Sequence, residues 1–310
     1  MKIKLKTYCL FILLFVASIQ AQGIKDIIGK WDLEVEMNGK IAPSWLEVKL
    51  SGNKTLVGYF VAHNGSARPI SEVFYHEGVV DFSLPPQWDG LNDMHFQALV
   101  NKGELKGTIL SSEGNAFNFV GVRAPKLIRE TKIIWRDPIA LFDGKSLKGW
   151  YPSEIDSDNQ WIPRNGILEN PKPGVNLITE NTFEDFKLHI EFRYPQGSNS
   201  GVYLRGRYEV QIEDNYGKEP ESTLFGGIYG FLTPNEMVAK KAGEWQTYDI
   251  TLIGRRVSVV ANGKKIITDQ IIPGITGGAL DSKEGNPGPI MLQGDHGLIE
   301  FRNITIQVPK

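Results

Sequence analysis

The sequence predicts an all-β protein with two domains, a small antiparallel β domain followed by a larger two-sheet β-sandwich. Three observations predict this: many short segments alternate apolar and polar residues, Gly- and Asn-containing turns separate them, and no long stretch has helical periodicity. A chain of 310 residues, 41% hydrophobic and with 33 glycines and 17 prolines, is long enough for two such cores and has the turn residues that they need.

The first residues have the pattern of a secretory signal peptide, which we predict over residues 1–21. Three lysines within the first six residues precede an apolar run that is too short to span a bilayer, and Ala21 is a small residue suited to cleavage. A short anchoring helix is the alternative. Cys9 lies early in the apolar run, so we expect no lipid-modified cysteine after cleavage. We therefore expect an exported protein, either periplasmic or secreted.

Composition excludes several classes of function for the mature chain. Cleavage removes the single cysteine and three lysines, which leaves 31 basic residues against 36 acidic ones. Without cysteine there is no disulfide or thiolate chemistry. This charge balance gives no basic surface for nucleic acid, and no other segment is apolar for long enough to span a membrane. The expected partner is a small molecule.

Residues 24–125 are expected to form the small antiparallel β domain. Alternating segments such as "TLVGYFVA", "VVDFSL" and "FNFVGV" are separated by turns such as Asn38-Gly39. The stretch "GKW", Gly29 to Trp31, is similar to the start of lipocalin-like barrels, so a barrel is one expected form. We expect an accessory role in shielding or extending a cleft. An independent ligand pocket is the alternative.

Residues 126–137 mix charge, proline and a short apolar patch, which predicts a linker. Residues 138–310 return to β patterning without helices between the strands, and Asn262-Gly263 is the clearest hairpin turn in the chain. This predicts a large two-sheet sandwich.

One stretch of this second domain, Ser198–Gly217, has an unusually polar strand face. Alternation predicts a strand with an apolar side and a side that carries Arg205, Glu209 and Gln211. The preceding strand, "KLHIEFRY", carries Glu191 on its polar side, and the short "PQGSNSG" turn predicts that the two polar faces lie side by side. Such a surface is either the floor of a binding cleft or an ordinary solvated face.

Four segments of this domain together resemble the 3-keto-disaccharide hydrolase family, also described as 3-keto-glucoside 1,2-lyase and 3-keto-2-hydroxyglucal hydratase. The resemblance covers about residues 138–308 and implies a concanavalin-like β-jelly roll that cleaves glycosides already oxidised to a ketone at C3. The segments are "LFDGKSLKGW", "GSNSGVYLRGRYEVQIEDNYG", "GGIYG…KKAGEWQTYDI" and "IMLQGDHGLIEFRNITI".

The implied reaction is an elimination followed by a hydration. A carbonyl at C3 acidifies the hydrogen on C2, and the group on C1 can then leave from the resulting enolate. Addition of water across the C1–C2 double bond completes a net hydrolysis. The path requires a base for the C2 proton, a donor or cation at the C3 oxygen and an acid for the departing oxygen.

Three residues are candidates for the proton transfers. His296, in "GDHG", has an ordinary pKa near neutrality; the alternative is a turn histidine bonded locally to Asp295. Asp295 could orient His296 or act as a base itself. Glu209 is the second acid or base candidate, and its alternative is an ion pair with a neighbouring arginine.

The remaining candidates support these three. Arg205 is the expected cation for the enolate oxygen, because it stays charged at any working pH. Asp214 corresponds to the family's acid after "EVQI", although alternation places it opposite Glu213 unless the strand bulges or ends there. The candidate substrate-binding residues are Gln211, Glu191, Asn199, Tyr229 and Lys240.

Two other functions remain open at this point. One is a conventional retaining glycosidase that uses "EVQIE", Glu209 to Glu213, although its two carboxyls should be about 5–5.5 Å apart and those positions lie about 13 Å apart on a regular strand. The other is a non-catalytic carbohydrate-binding module. Convergence of His189, Glu191 and His296 on a metal is a weaker possibility, and we predict no metal. We also predict no cofactor: no G-x-G-x-x-G follows a strand, so a separate sugar 3-oxidoreductase is expected to supply the ketone.

Overall fold

The computed structural model describes residues 23–88, 90–129, 132–154, 157 and 159–310, so the predicted signal peptide lies outside the described residues. The chain divides into two compact units. The first comprises residues up to Phe60 together with Arg68–Ala124, and the second comprises Val61–Ala67 together with Pro125–Lys310. The predicted linker, residues 126–137, therefore groups with the second unit, and so does a short segment of the chain region expected to form the first domain.

The first unit is a closed antiparallel barrel, which confirms the barrel as the form of the small β domain. Within its described residues, strands β1 to β8 follow one another around the barrel in chain order, and β1 pairs with β8 to close it. The strands are β1 (Gly29–Met37), β2 (Lys40–Ser51), β3 (Thr55–Val61), β4 (Arg68–His76), β5 (Val79–Leu84), β6 (Met94–Asn101), β7 (Glu104–Leu110) and β8 (Ala116–Arg123).

Aromatic side chains fill the interior of the barrel. Phe82 stacks on Phe96 with their ring centroids 4.5 Å apart, and Phe60 meets both rings edge-on at 6.0 Å. Trp31 is also fully buried. These rings bury a large apolar area in the core of the barrel.

The second unit is an all-β two-sheet sandwich. Its smaller sheet has the strand order β10-β13-β20-β15-β16, and its larger sheet has the order β11-β12-β21-β14-β17-β18-β19, with β9 paired to β21. Their bounds are β9 (Ile139–Ala140), β10 (Trp150–Pro152), β11 (Ile162–Arg164), β12 (Ile167–Asn170), β13 (Leu177–Thr179), β14 (Phe186–Arg193), β15 (Asn199–Leu204), β16 (Tyr208–Glu213), β17 (Gln246–Ile253), β18 (Arg256–Ala261), β19 (Lys264–Ile271), β20 (Met291–Leu292) and β21 (Ile299–Gln307).

The two sheets share an aromatic core. Phe192 of β14 packs against Tyr248 of β17 with centroids 4.7 Å apart, and Phe225 contacts both rings. The Tyr248 hydroxyl donates a hydrogen bond to the Gln211 carbonyl oxygen in β16 at 2.6 Å, which ties the larger sheet to the smaller one. Among the residues that the structure describes, no helix is long and apolar enough to cross a membrane.

The structure corrects the prediction that β14 and β15 are neighbours. The burial of β14 alternates as expected, but this strand lies in the larger sheet, whereas β15 lies in the smaller one. The intervening segment, residues 194–198, carries the chain from one sheet to the other, and Gly197 adopts a positive φ of 75° there. The polar faces of the two strands therefore do not form one continuous surface.

The structure also corrects the single long strand that alternation predicted over Ser198–Gly217. The stretch is a hairpin, in which β15 and β16 pair antiparallel across a turn at residues 205–207. Arg205 and Gly206 both have positive φ, 54° and 65°, and the Arg207 N–H donates to the Leu204 carbonyl oxygen at 3.1 Å. These are the features of a type I′ turn, whose twist matches that of the flanking strands.

Candidate active site

The hairpin places a row of polar residues on one face of the smaller sheet. Side chains that oppose one another across an antiparallel pair lie on the same face. Their burial is compatible with a recess, because β16 is buried on both faces as far as Ile212. The facing pairs on this surface are Tyr203 with Glu209, Gly201 with Gln211 and Asn199 with Glu213.

Glu209 lies on this face in β16, at one end of the strand order of the smaller sheet, and has an unusual environment for a carboxyl group. Its side chain is 4% exposed, and burial raises its pKa from 4.5 to about 8. The hydrogen bond from Tyr203 and the charge of His296 act in the opposite direction, but burial has the larger effect. Glu209 is therefore largely protonated at neutral pH.

A glycine opposite the carboxyl makes this burial possible. A Cβ atom on Gly201 would lie 2.3 Å from Oε1 of Glu209, which is closer than real Cβ contacts allow. The missing side chain on β15 thus leaves the space that the Glu209 carboxyl fills.

The hydrogen bonds of Tyr203 agree with a protonated Glu209. The Tyr203 hydroxyl oxygen lies 3.0 Å from Oε2 of Glu209 and 3.0 Å from the Gly277 carbonyl oxygen, but it has only one proton to donate. If the Glu209 carboxyl carries a proton, it can donate to the Tyr203 oxygen while the Tyr203 proton goes to Gly277. When Glu209 ionises, the Tyr203 proton can turn toward the carboxylate and stabilise it.

His296 lies on the loop that follows β20 and leads into β21, where the chain passes from the smaller sheet to the larger one. The loop is fixed by Asn170, whose side-chain amide donates to the carbonyl oxygens of Gly294 and Gly297 at 2.9 Å and 2.8 Å. It is also fixed to β15, because the Gln293 N–H donates to the Gly201 carbonyl oxygen at 3.0 Å. The loop therefore carries His296 to the edge of the face that holds Glu209.

Asp295 and His296 form a hydrogen-bonded pair, which we call the Asp–His dyad. Nδ1 of His296 lies 2.6 Å from Oδ1 of Asp295, and both side chains are half exposed. This hydrogen bond raises the pKa of His296, and the charge of Asp295, together with that of Glu209 when it is ionised, raises it further. With Nδ1–H held by Asp295, Nε2 is the nitrogen that can exchange a proton with a ligand.

Other polar groups surround Glu209 and the dyad. The Tyr229 N–H donates to the Glu209 carbonyl oxygen at 3.1 Å, and burial together with the charges of Glu209 and Glu213 raises the pKa of its phenol. The side-chain oxygens of Gln211 and Gln293 are buried and have no hydrogen-bond partner among the described residues. Buried acceptors are nearly always paired in folded proteins, so these two unpaired oxygens are unusual.

The structure places Arg205 away from this site, which corrects its expected position beside Glu209. Its side chain is 1% exposed, and Nη2 donates to the Tyr208 hydroxyl at 3.0 Å and to the Gly254 carbonyl oxygen at 2.9 Å. Tyr208 directly precedes Glu209 in β16 and therefore faces the opposite side of the sheet. The physical reason is the turn at residues 205–207, which takes Arg205 out of the strand and turns its guanidinium into the core.

Glu191 is likewise not brought to the site. It lies on the outer face of the larger sheet, where its two carboxylate oxygens accept hydrogen bonds from Arg302 and Asn303, each at 2.7 Å. Its strand, β14, belongs to the sheet opposite the one that carries Glu209. Its neighbour His189 bonds to Asp249 at 2.7 Å on that same outer face.

Asp214 and Lys240 both have structural partners. Asp214 comes directly after the end of β16 at Glu213, so the alternation of the strand no longer determines which side its side chain faces. Its carboxylate accepts a hydrogen bond from the Gly197 N–H at 3.0 Å. Nζ of Lys240 donates to the Trp245 carbonyl oxygen at 2.9 Å. Neither contact joins Glu209 or the dyad.

The described residues contain no group of three or more His, Cys, Asp or Glu side chains that could hold a metal ion. The three residues considered for a metal do not meet: His189 and Glu191 are on the outer face of the larger sheet, whereas His296 is on the loop after β20.

Sequence reasoning did not select Tyr203 and Gly201 as site residues, although both contact the Glu209 carboxyl. The sequence does contain a signal for Tyr203, because alternation places it on the polar face of the strand, opposite the apolar face of Val202 and Leu204. No such signal marks Gly201, since its importance comes from the Glu209 carboxyl, which lies diagonally across the hairpin from it.

The fold and the site together define a class of protein, a β-sandwich with a buried carboxylic acid and an Asp–His dyad on one face. Residues 137–307 match the family model described as the 3-keto-alpha-glucoside-1,2-lyase-like domain. Since this match covers more than half of the sequence, the chain belongs to that family, which confirms the resemblance found in the sequence.

Individual relatives are more distant. A 3-keto-disaccharide hydrolase of Bacteroides thetaiotaomicron is 28% identical over 91 residues. The match covers 26% of this chain and only 31% of the length of that protein. A crystal structure from Parabacteroides distasonis, assigned as a glycosyl hydrolase, is 32% identical, covers 56% of this chain and 84% of its own, and has a TM-score of 0.48. A carbohydrate binding module from Bacillus subtilis is 11% identical over 51% of this chain and 95% of its own, with a TM-score of 0.34.

Proposed function

We propose that this protein cleaves 3-keto-glycosides, a net hydrolysis that proceeds by elimination across C1–C2 and rehydration. The observation that carries the proposal is a buried Glu209 carboxyl with a raised pKa, together with a nearby imidazole that is held by Asp295 on the loop fixed to β15. Perturbed titratable groups that meet in one recess are typical of sites for proton transfer. The family to which the chain belongs gives the class of sugar.

We assign the base to His296 and the acid to Glu209. Neutral His296 accepts the C2 proton at Nε2, while Asp295 holds the ring and stabilises the imidazolium that forms. The electrons of the C2–H bond move into the enolate and then into the C1=C2 double bond, and the C1–O bond breaks. The departing oxygen takes the proton of Glu209. In the hydration, the imidazolium of His296, which exchanges its proton with solvent, protonates C2, while Glu209 takes a proton from the water whose hydroxyl adds to C1, so both groups are restored.

The enolate needs a hydrogen-bond donor at the C3 oxygen, and Tyr229 is our candidate now that Arg205 lies in the core. Its phenol is half buried, interacts electrostatically with Glu209 and is kept protonated by its raised pKa. A neutral donor in a desolvated recess stabilises a developing oxyanion. The free side-chain oxygens of Gln211 and Gln293 are the proposed acceptors for sugar hydroxyls, with Asn199 further along the same face.

The geometry argues against a retaining glycosidase. Strand β16 has no register shift between Tyr208 and Glu213, so Glu209 and Glu213 keep the spacing of a regular strand, with their Cα atoms roughly 13 Å apart. A double displacement needs carboxyl groups about 5–5.5 Å apart. A protonated Glu209 beside the Asp–His dyad instead fits a mechanism in which a carboxylic acid is the proton donor and an imidazole is the proton acceptor.

The ketone of the substrate implies an earlier oxidation. We propose that a separate sugar 3-oxidoreductase makes the 3-keto-glycoside and that this protein acts on it after export, in the periplasm or outside the cell. The leader pattern in residues 1–21 is the support for export.

Product analysis tests the proposed function. Purified protein is incubated with 3-keto-trehalose, with a 3-keto-β-glucoside and with unoxidised trehalose, and the released sugars are separated while the ultraviolet absorbance of the enone-like intermediate is followed. We expect cleavage of at least one keto substrate, no cleavage of trehalose, and loss of turnover in Glu209→Gln. Cleavage of trehalose at a similar rate would favour a conventional hydrolase, and binding without turnover would favour a carbohydrate-binding module.

A further inference from the structure

The segment Val61–Ala67 lies between β3 and β4 in the sequence but belongs to the second compact unit. It is held there by backbone contacts at its middle and at its end. The Gly278 N–H donates to the His63 carbonyl oxygen at 2.9 Å. Gly277 approaches Gly65 so closely that a Cβ atom on Gly277 would lie 2.1 Å from the Gly65 carbonyl oxygen.

Gly230 contacts the end of this segment in the same way, with backbone against backbone. Gly230 has a positive φ of 73°, and a Cβ atom there would lie 2.5 Å from the Ala67 backbone nitrogen and 2.8 Å from Cβ of Ser66. Backbone thus packs directly on backbone at both places, which only glycine permits. The segment is consequently a built part of the second unit.

Both contacts adjoin the groups that surround Glu209. Gly277 accepts the hydrogen bond of Tyr203, whose hydroxyl also contacts the Glu209 carboxyl. A Cβ atom on Gly278 would lie only 2.4 Å from the Tyr203 hydroxyl oxygen. At the other end, Gly230 directly follows Tyr229. The segment therefore contacts residues that adjoin two groups in contact with Glu209, Tyr203 and Tyr229.

His63 is the residue of this segment with the chemistry to bind a sugar. Its side chain is exposed, while the surrounding protein desolvates the ring enough to lower its pKa. A neutral imidazole offers one donor and one acceptor, which matches the hydroxyl groups of a sugar.

We propose that His63 contacts the group attached to C1 of the 3-keto-sugar and so helps to determine which leaving groups the enzyme accepts. The inference rests on the proposed function. In this arrangement the keto-sugar ring lies on the sheet face that carries Glu209, and its C1 substituent is directed toward the segment Val61–Ala67. Sequence reasoning did not select His63.

The test compares two substrates of the same anomeric configuration that differ only in the leaving group, methyl 3-keto-α-glucoside and 3-keto-trehalose. We expect His63→Ala to lower kcat/KM for 3-keto-trehalose about 10-fold, mainly through KM, and to change that of the methyl glycoside less than 2-fold. His63→Gln, which keeps a donor and an acceptor, should recover most of the loss. His76→Ala, at an exposed histidine of β4, is the matched control and should behave as wild type on both substrates.

The outcomes are distinct. A loss confined to 3-keto-trehalose, rescued by glutamine, supports the inference. Equal effects of His63→Ala on both substrates, no effect on either, or a glutamine variant no better than alanine overturns it while the proposed function stands. A wild-type protein that is inactive on both substrates overturns the proposed function instead. Thermal melting of each variant confirms that the fold is intact.

Discussion

Replacing Glu209 with glutamine tests the protonation of its buried carboxyl without the need for a substrate. Glutamine has nearly the same shape, keeps a group that can bond to Tyr203, and has no proton to release. In the native protein Glu209 keeps its proton up to a pKa of about 8, whereas in the unfolded chain it titrates near 4.5. The native state therefore binds more protons between these two pH values, and the stability of the wild type must fall as the pH rises through them.

The linkage fixes the size of the effect. One proton difference corresponds to about 1.4 kcal/mol per pH unit, so the wild type should lose roughly 3 kcal/mol relative to Glu209→Gln between pH 5 and pH 7. Urea unfolding at pH 5, 6 and 7, followed by tryptophan fluorescence, gives the free energy of unfolding of each protein. The exposed residue Glu219 provides a matched control, because Glu219→Gln should run parallel to the wild type.

Parallel curves for wild type and Glu209→Gln would refute this reasoning. They would mean that Glu209 has the same protonation in the native and unfolded states over this range. An ionised Glu209 could not donate the proton to the departing oxygen, and the acid would have to be another group.

Three further substitutions test the surroundings of Glu209. Gly201→Ala should lower kcat at least 10-fold with unchanged circular dichroism, because the new Cβ would lie 2.3 Å from Oε1 of Glu209; a variant with full activity would contradict this. Tyr203→Phe removes a hydrogen bond that lowers the pKa of Glu209, so the alkaline limb of the kcat–pH profile should move to higher pH, and an unmoved limb would count against the contact. Arg205→Met should cost about 2–4 kcal/mol of stability, measured by urea unfolding, because it removes buried hydrogen bonds. It should leave kcat per folded molecule unchanged, and a fall in kcat without a loss of stability would indicate that Arg205 acts in the active site.

Much of the fold was predictable because β structure leaves a period of two in the sequence. The alternation of β14, the polar parity of Glu209 and Gln211, and the many short strands with glycine turns all correspond to the structure. The distinctive "GDHG" loop and the polar strand are also parts of the family's motifs, so the sequence predicts both His296 and Glu209 as candidate site residues.

The misplaced residues depend on features that alternation does not encode. The turn at Arg205 contains a single glycine and neither Asn nor Asp, so it does not interrupt the pattern, and alternation predicts one strand where the structure has two. Glu191 was misplaced because a short connection can join strands of different sheets as readily as strands of the same sheet. Asp214 depended on where a strand ends, and strand ends have weak signals.

Contacts between residues far apart in the sequence could not be predicted from it. The approach of Gly277 to Gly65 joins residues more than two hundred positions apart, and glycines in both places have the appearance of ordinary loop residues in the sequence. The position of His63 follows from that contact, so it could be found only from the structure.

The most direct test of the central claim is cleavage in deuterium oxide, because removal and return of the C2 proton distinguishes the proposed path from displacement at C1. A 3-keto-glycoside is cleaved for a short time, and the released 3-keto-glucose is analysed at once by mass spectrometry and proton NMR, with authentic 3-keto-glucose in the same buffer as the control for spontaneous exchange. The account predicts deuterium at C2 of the product in excess of that control. A product that keeps its original hydrogen at C2 would contradict it.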